Sequence, residues 1–316
     1  MYNYSIVQWM FFFYFYCFFG WCFESAYVSI KNRQLVNRGF MRGPFLPLYG
    51  TGAIMMLVVS MPFQNDIFLT YVAGCIGATA LEYVTGVAME ALFKVRYWDY
   101  SNQRFNFRGH ICLGSSLTWG VLTILMTEFV HKWVEKIVFM IPYNLLTVIT
   151  YVATVAIAAD FALSFKAAMD LRDVLIKMEK AREELERIQR RLDVIIALVN
   201  EDISVYKAGI TDNINEKRES VGLRMEDLKL SIDDKLDRIK EITSVKPSEY
   251  WDSVRNEYQE LLTKYLNNLE ERSRLGSLKD FFQRELILSN PTMTSRKFRE
   301  ALEELKARAE HFRKDE

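Results

Sequence analysis

IVQWMFFFYFYCFFGWCFESAYVSI, residues 6–30, is an unbroken apolar and aromatic run whose one charged side chain is Glu24. It exceeds the roughly 20 residues that cross a bilayer's hydrocarbon core. No basic residue precedes it within Met1–Ser5 and no small-residue cleavage site follows, so it reads as a retained anchor and not a signal peptide. Four further apolar runs follow at about 45–63, 67–93, 111–130 and 142–165. The second is bracketed by Pro44, Pro47 and Pro62 and is the shortest, which predicts a broken or re-entrant start. The zero net charge hides a segregation: residues 1–165 hold 10 Lys/Arg and 8 Asp/Glu, and residues 166–316 hold 30 and 32. The fold class that follows is an all-α, polytopic membrane protein, with a five-helix transmembrane domain at 1–166 and a cytoplasmic helical, coiled-coil domain at 167–316.

Basic residues between the runs alternate. None precedes the first, four lie in 31–42, none in 64–66, four in 94–108 and two in 131–141. Because Lys and Arg favour the cytoplasmic side, the N-terminus, the 64–66 turn and a 131–141 loop are expected outside, and the 31–44 loop, the 94–110 loop and the tail inside. The small residues Ala73, Gly74, Gly77 and Ala78 would let a neighbouring helix approach the third span closely. Trp9, Trp21, Trp98, Trp119 and Trp133 fall near span ends, as an aromatic belt requires.

Charged groups inside apolar runs cost at least a few kcal/mol and call for partners or water. Glu24, Glu82, Glu90 and Asp160 are such groups, and Arg38, Arg42, Arg96 and Arg108 are the available counter-charges. Two loops are built for more than connection. Asn37–Gly52 (NRGFMRGPFLPLYGTG) is rich in Gly and Pro around two arginines, and Arg96–Gly114 (RYWDYSNQRFNFRGHICLG) is aromatic, amidic and basic. Together they could floor a cytoplasm-facing cavity for an anionic group. The four cysteines form no CxxC pair and the three histidines have no companion ligands, so no metal and no cofactor is implied. Neither half has the basic excess that nucleic-acid binding needs.

FGWCFES at 19–25, NRGFMRGPFLPLYGTGA at 37–53, EYVTGVAMEALF at 82–93 and RYWDYSNQRFNFRGHICLGSSLTWG at 96–120 together resemble the bacterial CmpB-type family labelled "putative ABC transporter permease", over about residues 5–165. The resemblance implies the membrane core of a transport system of unknown substrate in the bacterial cytoplasmic membrane. Glu24, Arg38, Arg42, Glu82, Glu90, Trp98, Asp99, Tyr100, Asn106 and His110 are the matching motif positions, and Asp160 joins them as a buried carboxylate. The chain has no GxxxxGK[ST] loop, so a permease of this kind would need a separate ATPase subunit. Two other classes stay open: an intramembrane enzyme that acts on an anionic lipid with a carboxylate or His110 as base, and a membrane-anchored coiled-coil scaffold or sensor.

Beyond Asp170 the apolar period becomes seven: Leu171, Met178, Leu185, Leu192, Val199 and Tyr206, with Leu175, Ile196, Ile203 and Ile210 four positions later. This predicts a coiled-coil seam, pairing within the chain or making a homo-oligomer, on a helix that leaves the fifth span unbroken. Gly209 and TDNINEKRES mark a joint, and helices are expected at about 221–243, from Ser248–Glu249 onward, 277–289 and 295–313.

Overall fold

Ser5 starts the first helix. Its hydroxyl accepts from the Gln8 backbone N–H and the Gln8 side chain accepts from the Ser5 N–H, a reciprocal cap that satisfies two of the end's free donors. In the computed structural model, which describes residues 3–206, 249–276 and 281–315, this helix, α1, runs Ile6–Asn32 and stops where Arg33 turns left-handed. Pro47 opens α2 (Pro47–Ser60), which ends in a 3-10 turn at Met61–Phe63. Asp66 caps α3 (Ile67–Phe93), and Lys94 ends it in a left-handed conformation.

Four helices are long and apolar enough to cross a membrane: Ile6–Lys31, Ile67–Phe93, Leu113–Met140 and Tyr143–Ile195. The chain is therefore a multi-pass membrane protein. The expected second span is the exception, since α2 has only 14 residues, and at 1.5 Å per residue it is short of the hydrocarbon thickness.

Residues 131–141 are not the loop that Lys132 and Lys136 suggested. After α4 (Leu113–Leu125) the chain makes a π-helical turn at Met126–Val130 and continues as α5 (His131–Met140). The reason lies in spacing: Val134 and Val138, four apart, turn inward and join Phe12, Tyr16, Leu57 and Leu146 in one core cluster, while both lysines face out. A two-strand hairpin, β1 (Asn106–Phe107) with β2 (Ile111–Cys112), interrupts the otherwise helical fold.

The small residues of α3 serve two neighbours. A Cβ on Gly74 would collide with Thr123 of α4, and one on Gly77 would meet Val59 of α2, so both helices approach α3 at its bare backbone.

α6 runs Tyr143–Tyr206 without interruption, as the absence of Gly and Pro predicts. It contributes to both compact units of the chain. One unit comprises Met1–Ile176 together with Gly276–Glu316, and the other Lys177–Leu275. Gly276–Glu316, part of the tail expected at 167–316, thus shares a compact unit with the apolar helices. In the second unit, Leu192 and Ile195 of α6 share a cluster with Tyr258 and Leu262 of α7 (Glu249–Leu275). The heptad positions Leu171, Leu175, Met178, Leu185 and Leu192 are buried within a single chain. The helix expected at 221–243, the joint at 207–220 and the side chains of Val199, Ile203, Tyr206 and Ile210 lie outside the described residues. α8 (Phe281–Ser289) and α9 (Arg299–Asp315) complete the first unit, with Leu302, Leu305 and Ala309 fully buried.

Candidate functional site

Arg96 is the centre of the polar layer. It is almost wholly buried, and its guanidinium reaches Glu90 at 2.8 Å and Asp99 at 3.4 Å. The two carboxylates arrive there by different routes. Glu90 lies in the last turn of α3, and Asp99 is brought back by the sharp loop after it. His110 completes the group, with Nε2 3.0 Å from Glu90 Oε2. Burial, then the Arg96 charge, lowers the His110 pKa, and Glu90 only partly offsets them; the neutral ring therefore donates its Nε2–H to Glu90. Trp98 Nε1 donates to the His110 carbonyl at 3.0 Å. For Asp99, burial alone would raise the pKa, but the Ser101 hydroxyl and N–H, the Arg96 charge and the Thr294 hydroxyl outweigh it and hold the carboxyl below its usual range.

Glu82 sits two turns earlier on α3 and is buried with a different kind of company. Three neutral donors converge on it: Tyr100 Oη at 2.9 Å, Trp119 Nε1 at 3.0 Å and Ser115 Oγ at 3.2 Å. The Tyr100 hydroxyl is held protonated by burial and by the Glu82 charge. Three directed hydrogen bonds satisfy a carboxylate that has no cation of its own among the described residues. Trp119, expected only as an interfacial anchor, is thus part of the site.

The other loop has its own pair. Arg38 Nε lies 3.5 Å from Glu24, whose second oxygen accepts from Tyr49 Oη at 2.7 Å. Asp160 accepts from the Gly43 N–H at 2.9 Å and meets no arginine among the described residues. Arg42 stacks on Phe282, 3.3 Å from the ring centroid, and donates to the Leu163 carbonyl. Asn106 serves its own turn, bonding Ser101, Gln103 and Gly109, and stays away from the carboxylates. The Arg108 guanidinium lies over Phe107.

What joins the two loops is a stretch that sequence reading did not place here, Ser289–Arg296. Arg38 Nη1 donates to the Ser289 carbonyl and to Asn290 Oδ1, both at 3.0 Å, and Nη2 donates to Thr292 Oγ1 at 3.1 Å. Asn290 Nδ2 donates to the Gly39 carbonyl at 3.0 Å. Then Thr294 forms an antiparallel bridge with Arg96, N–H to carbonyl in both directions, and Ser295 Oγ donates to the Lys94 carbonyl. Arg296 Nη2 donates to the Arg108 carbonyl. The signal available in sequence is Asn290-Pro291, which stops a helix, and the hydroxyls of Thr292, Thr294 and Ser295 beside it.

Residues 11–165 match the family described as "Putative ABC-transporter type IV", ABC_trans_CmpB. The match covers 155 of the 316 residues, nearly all of the apolar half. The matched range holds both loops and all eleven expected site residues, while the Ser289–Arg296 strap that ties the loops together lies beyond it. No curated protein and no solved structure matches the chain.

A second buried cluster within the ABC_trans_CmpB segment escaped sequence reading. Both ring nitrogens of His131 are engaged, Nδ1 by Tyr16 Oη at 2.8 Å and Nε2 by Tyr4 Oη at 3.0 Å, and Tyr4 donates in turn to Glu135 Oε1. Placing residues 131–141 in a loop hid the clue that His131 and Glu135, four apart, share one helical face.

Proposed function

We propose that the chain is the membrane component of an ABC-type transport system in the bacterial cytoplasmic membrane, with the N-terminus outside, the tail inside and five spans, the second a short crossing made by α2 together with its 3-10 turn, Pro47–Phe63. A separate ATPase subunit would supply the energy, because the sequence carries no phosphate-binding P-loop of its own. The observation that supports this reading best is the strap. Ser289–Arg296 grips Arg38 and Gly39 of one family loop and Lys94, Arg96 and Asp99 of the other. A displacement applied to residues 276–316 would therefore be passed to Glu24 on α1 and Glu90 on α3 through ion pairs and main-chain hydrogen bonds. Such a joint between spans and tail is what an external motor would need to act upon. The polar layer around Glu82, Glu90, Arg96 and His110 is the proposed cytoplasm-facing site.

Affinity purification of the full-length protein in mild detergent, with the stoichiometry of co-purifying chains, tests the proposal. A P-loop ATPase in fixed ratio, lost when the Ser289–Arg296 contacts are broken by Arg38→Ala with Asn290→Ala, is the expected result. Recovery of a homo-oligomer alone would overturn the ATPase partnership.

A further inference from the structure

Arg42 is a cation without a counter-charge among the described residues. Its Nη2 reaches only the Leu163 carbonyl, its guanidinium face is on Phe282, and its Nε is buried with no hydrogen-bond partner. No acidic side chain among the described residues makes an ion pair with it. Beside it opens a cavity of about 210 Å³, on the order of ten times the ~15 Å³ that one water requires. Two charged side chains line that cavity, Arg42 and Glu285 of α8. They share its wall yet form no ion pair, although a partly buried charge is ordinarily held by an opposite one.

We propose that this cavity binds a small zwitterion, its oxyanion on the Arg42 guanidinium and its protonated amine on Glu285. That chemistry is common to an aminophospholipid headgroup and to a free phosphorylated amino alcohol. A simple anion would face the Glu285 carboxylate and a simple cation would face Arg42; only a ligand carrying both charges is matched by both walls. Ser164 and Ala167 of α6 line the cavity where the apolar run of that helix gives way to Lys166 and Asp170, the depth at which headgroups lie along a spanning helix. The site stands whether or not an ATPase partners the chain.

The test is thermal unfolding of the full-length protein in neutral detergent against four probes: short-chain phosphatidylethanolamine, phosphatidylglycerol, phosphatidylcholine and O-phosphoethanolamine. At a hundredfold excess over Kd, phosphatidylethanolamine is expected to raise the midpoint by about 5 °C and phosphatidylglycerol much less. Glu285→Gln should abolish that preference while the lipid-free midpoint stays near wild type, and Arg42→Gln should abolish both responses. Equal shifts with O-phosphoethanolamine assign the site to a soluble zwitterion, and a shift that needs acyl chains assigns it to the lipid; phosphatidylcholine, whose ammonium lacks N–H donors, should fall below phosphatidylethanolamine. Equal responses to phosphatidylethanolamine and phosphatidylglycerol in the wild type, or a preference that survives Glu285→Gln, would overturn the proposal.

Discussion

Arg38 Nη1 donates to Asn290 Oδ1 at 3.0 Å, a bond that spans 252 residues of sequence and fastens the C-terminal segment to the loop after α1. The same guanidinium also serves the Ser289 carbonyl, Thr292 and Glu24, so its loss removes several charge-assisted bonds at once. Each such bond contributes roughly 1.5–3 kcal/mol. Arg38→Ala and Asn290→Ala should each speed proteolytic release of residues 276–316. Because the two residues touch, the double variant should fall short of the sum by about 1 kcal/mol. Additive effects in limited proteolysis would mean that the contact carries no coupling.

Glu82 makes a different prediction because its partners are neutral donors. Glu82→Leu removes the acceptor of the Tyr100 hydroxyl and the Trp119 indole, at roughly 1–3 kcal/mol for each unsatisfied donor, while Ser115 keeps the Cys112 carbonyl. Glu82→Gln keeps one acceptor oxygen but turns an NH2 toward a donor, so it should lose less. Unfolding midpoints in detergent should rank wild type above Gln above Leu.

Much of this was legible beforehand, and the parts that were not share a cause. Long apolar runs declare themselves, so α1 and α3 appear within two residues of their expected ends. The loop motifs announced the arginines and carboxylates, but a sequence cannot say which arginine meets which acid: Arg96 took Glu90 and Asp99, Arg42 took an aromatic ring, and Glu82 took none. Likewise the heptads from Leu171 to Leu192 declare a seam but not what covers it, and in the structure those side chains are buried within one chain. The strap was invisible because most of its bonds end on a main-chain group, the Gly39 carbonyl for Asn290, the Lys94 carbonyl for Ser295 and the Arg96 backbone for Thr294, where side-chain identity leaves no trace at the receiving end.

Acid should loosen the Arg96 cluster. The His110 pKa is lowered from its ordinary 6.5 by burial and by Arg96, so below that pH the unfolded chain binds a proton that the folded ring resists. Stability therefore falls as pH drops below about 6.5. Asp99, lowered from 3.8, adds its own loss only as pH falls below that value toward the folded-state pKa. His110→Gln should reduce the pH dependence of the unfolding midpoint below about pH 6.5 and leave the more acidic limb in place.

Gly74 tests the packing of α3 on α4. Gly74→Val would drive a branched side chain into Thr123, which is fully buried, and overpacking of this kind costs about 1–3 kcal/mol. The variant should unfold earlier and run polydisperse in detergent. Thr123→Ala removes Oγ1, the atom nearest a Cβ at position 74, and Cγ2, but keeps the Thr123 Cβ, so the double variant should recover only part of the loss. No recovery would place the strain elsewhere than at this contact.

The proposed orientation is open to a direct measurement because the two positions that report on it are both exposed. Asn65, in the turn before α3, and Asn102, in the loop before β1, have side chains in solvent, so a cysteine at either should leave the core intact. The native thiols must first be replaced; Cys17 and Cys112 are buried and Cys22 and Cys75 half-buried, so serine or alanine at the latter two is the milder change. Intact cells treated with a membrane-impermeant maleimide should label a cysteine at 65 and spare one at 102, with both labelling after the membrane is opened. The basic loops explain why: residues 94–108 carry four Lys/Arg and residues 64–66 carry none. The reverse pattern would put the strap, the polar layer and the Arg42 cavity on the outer face, where an intracellular ATPase could not reach them.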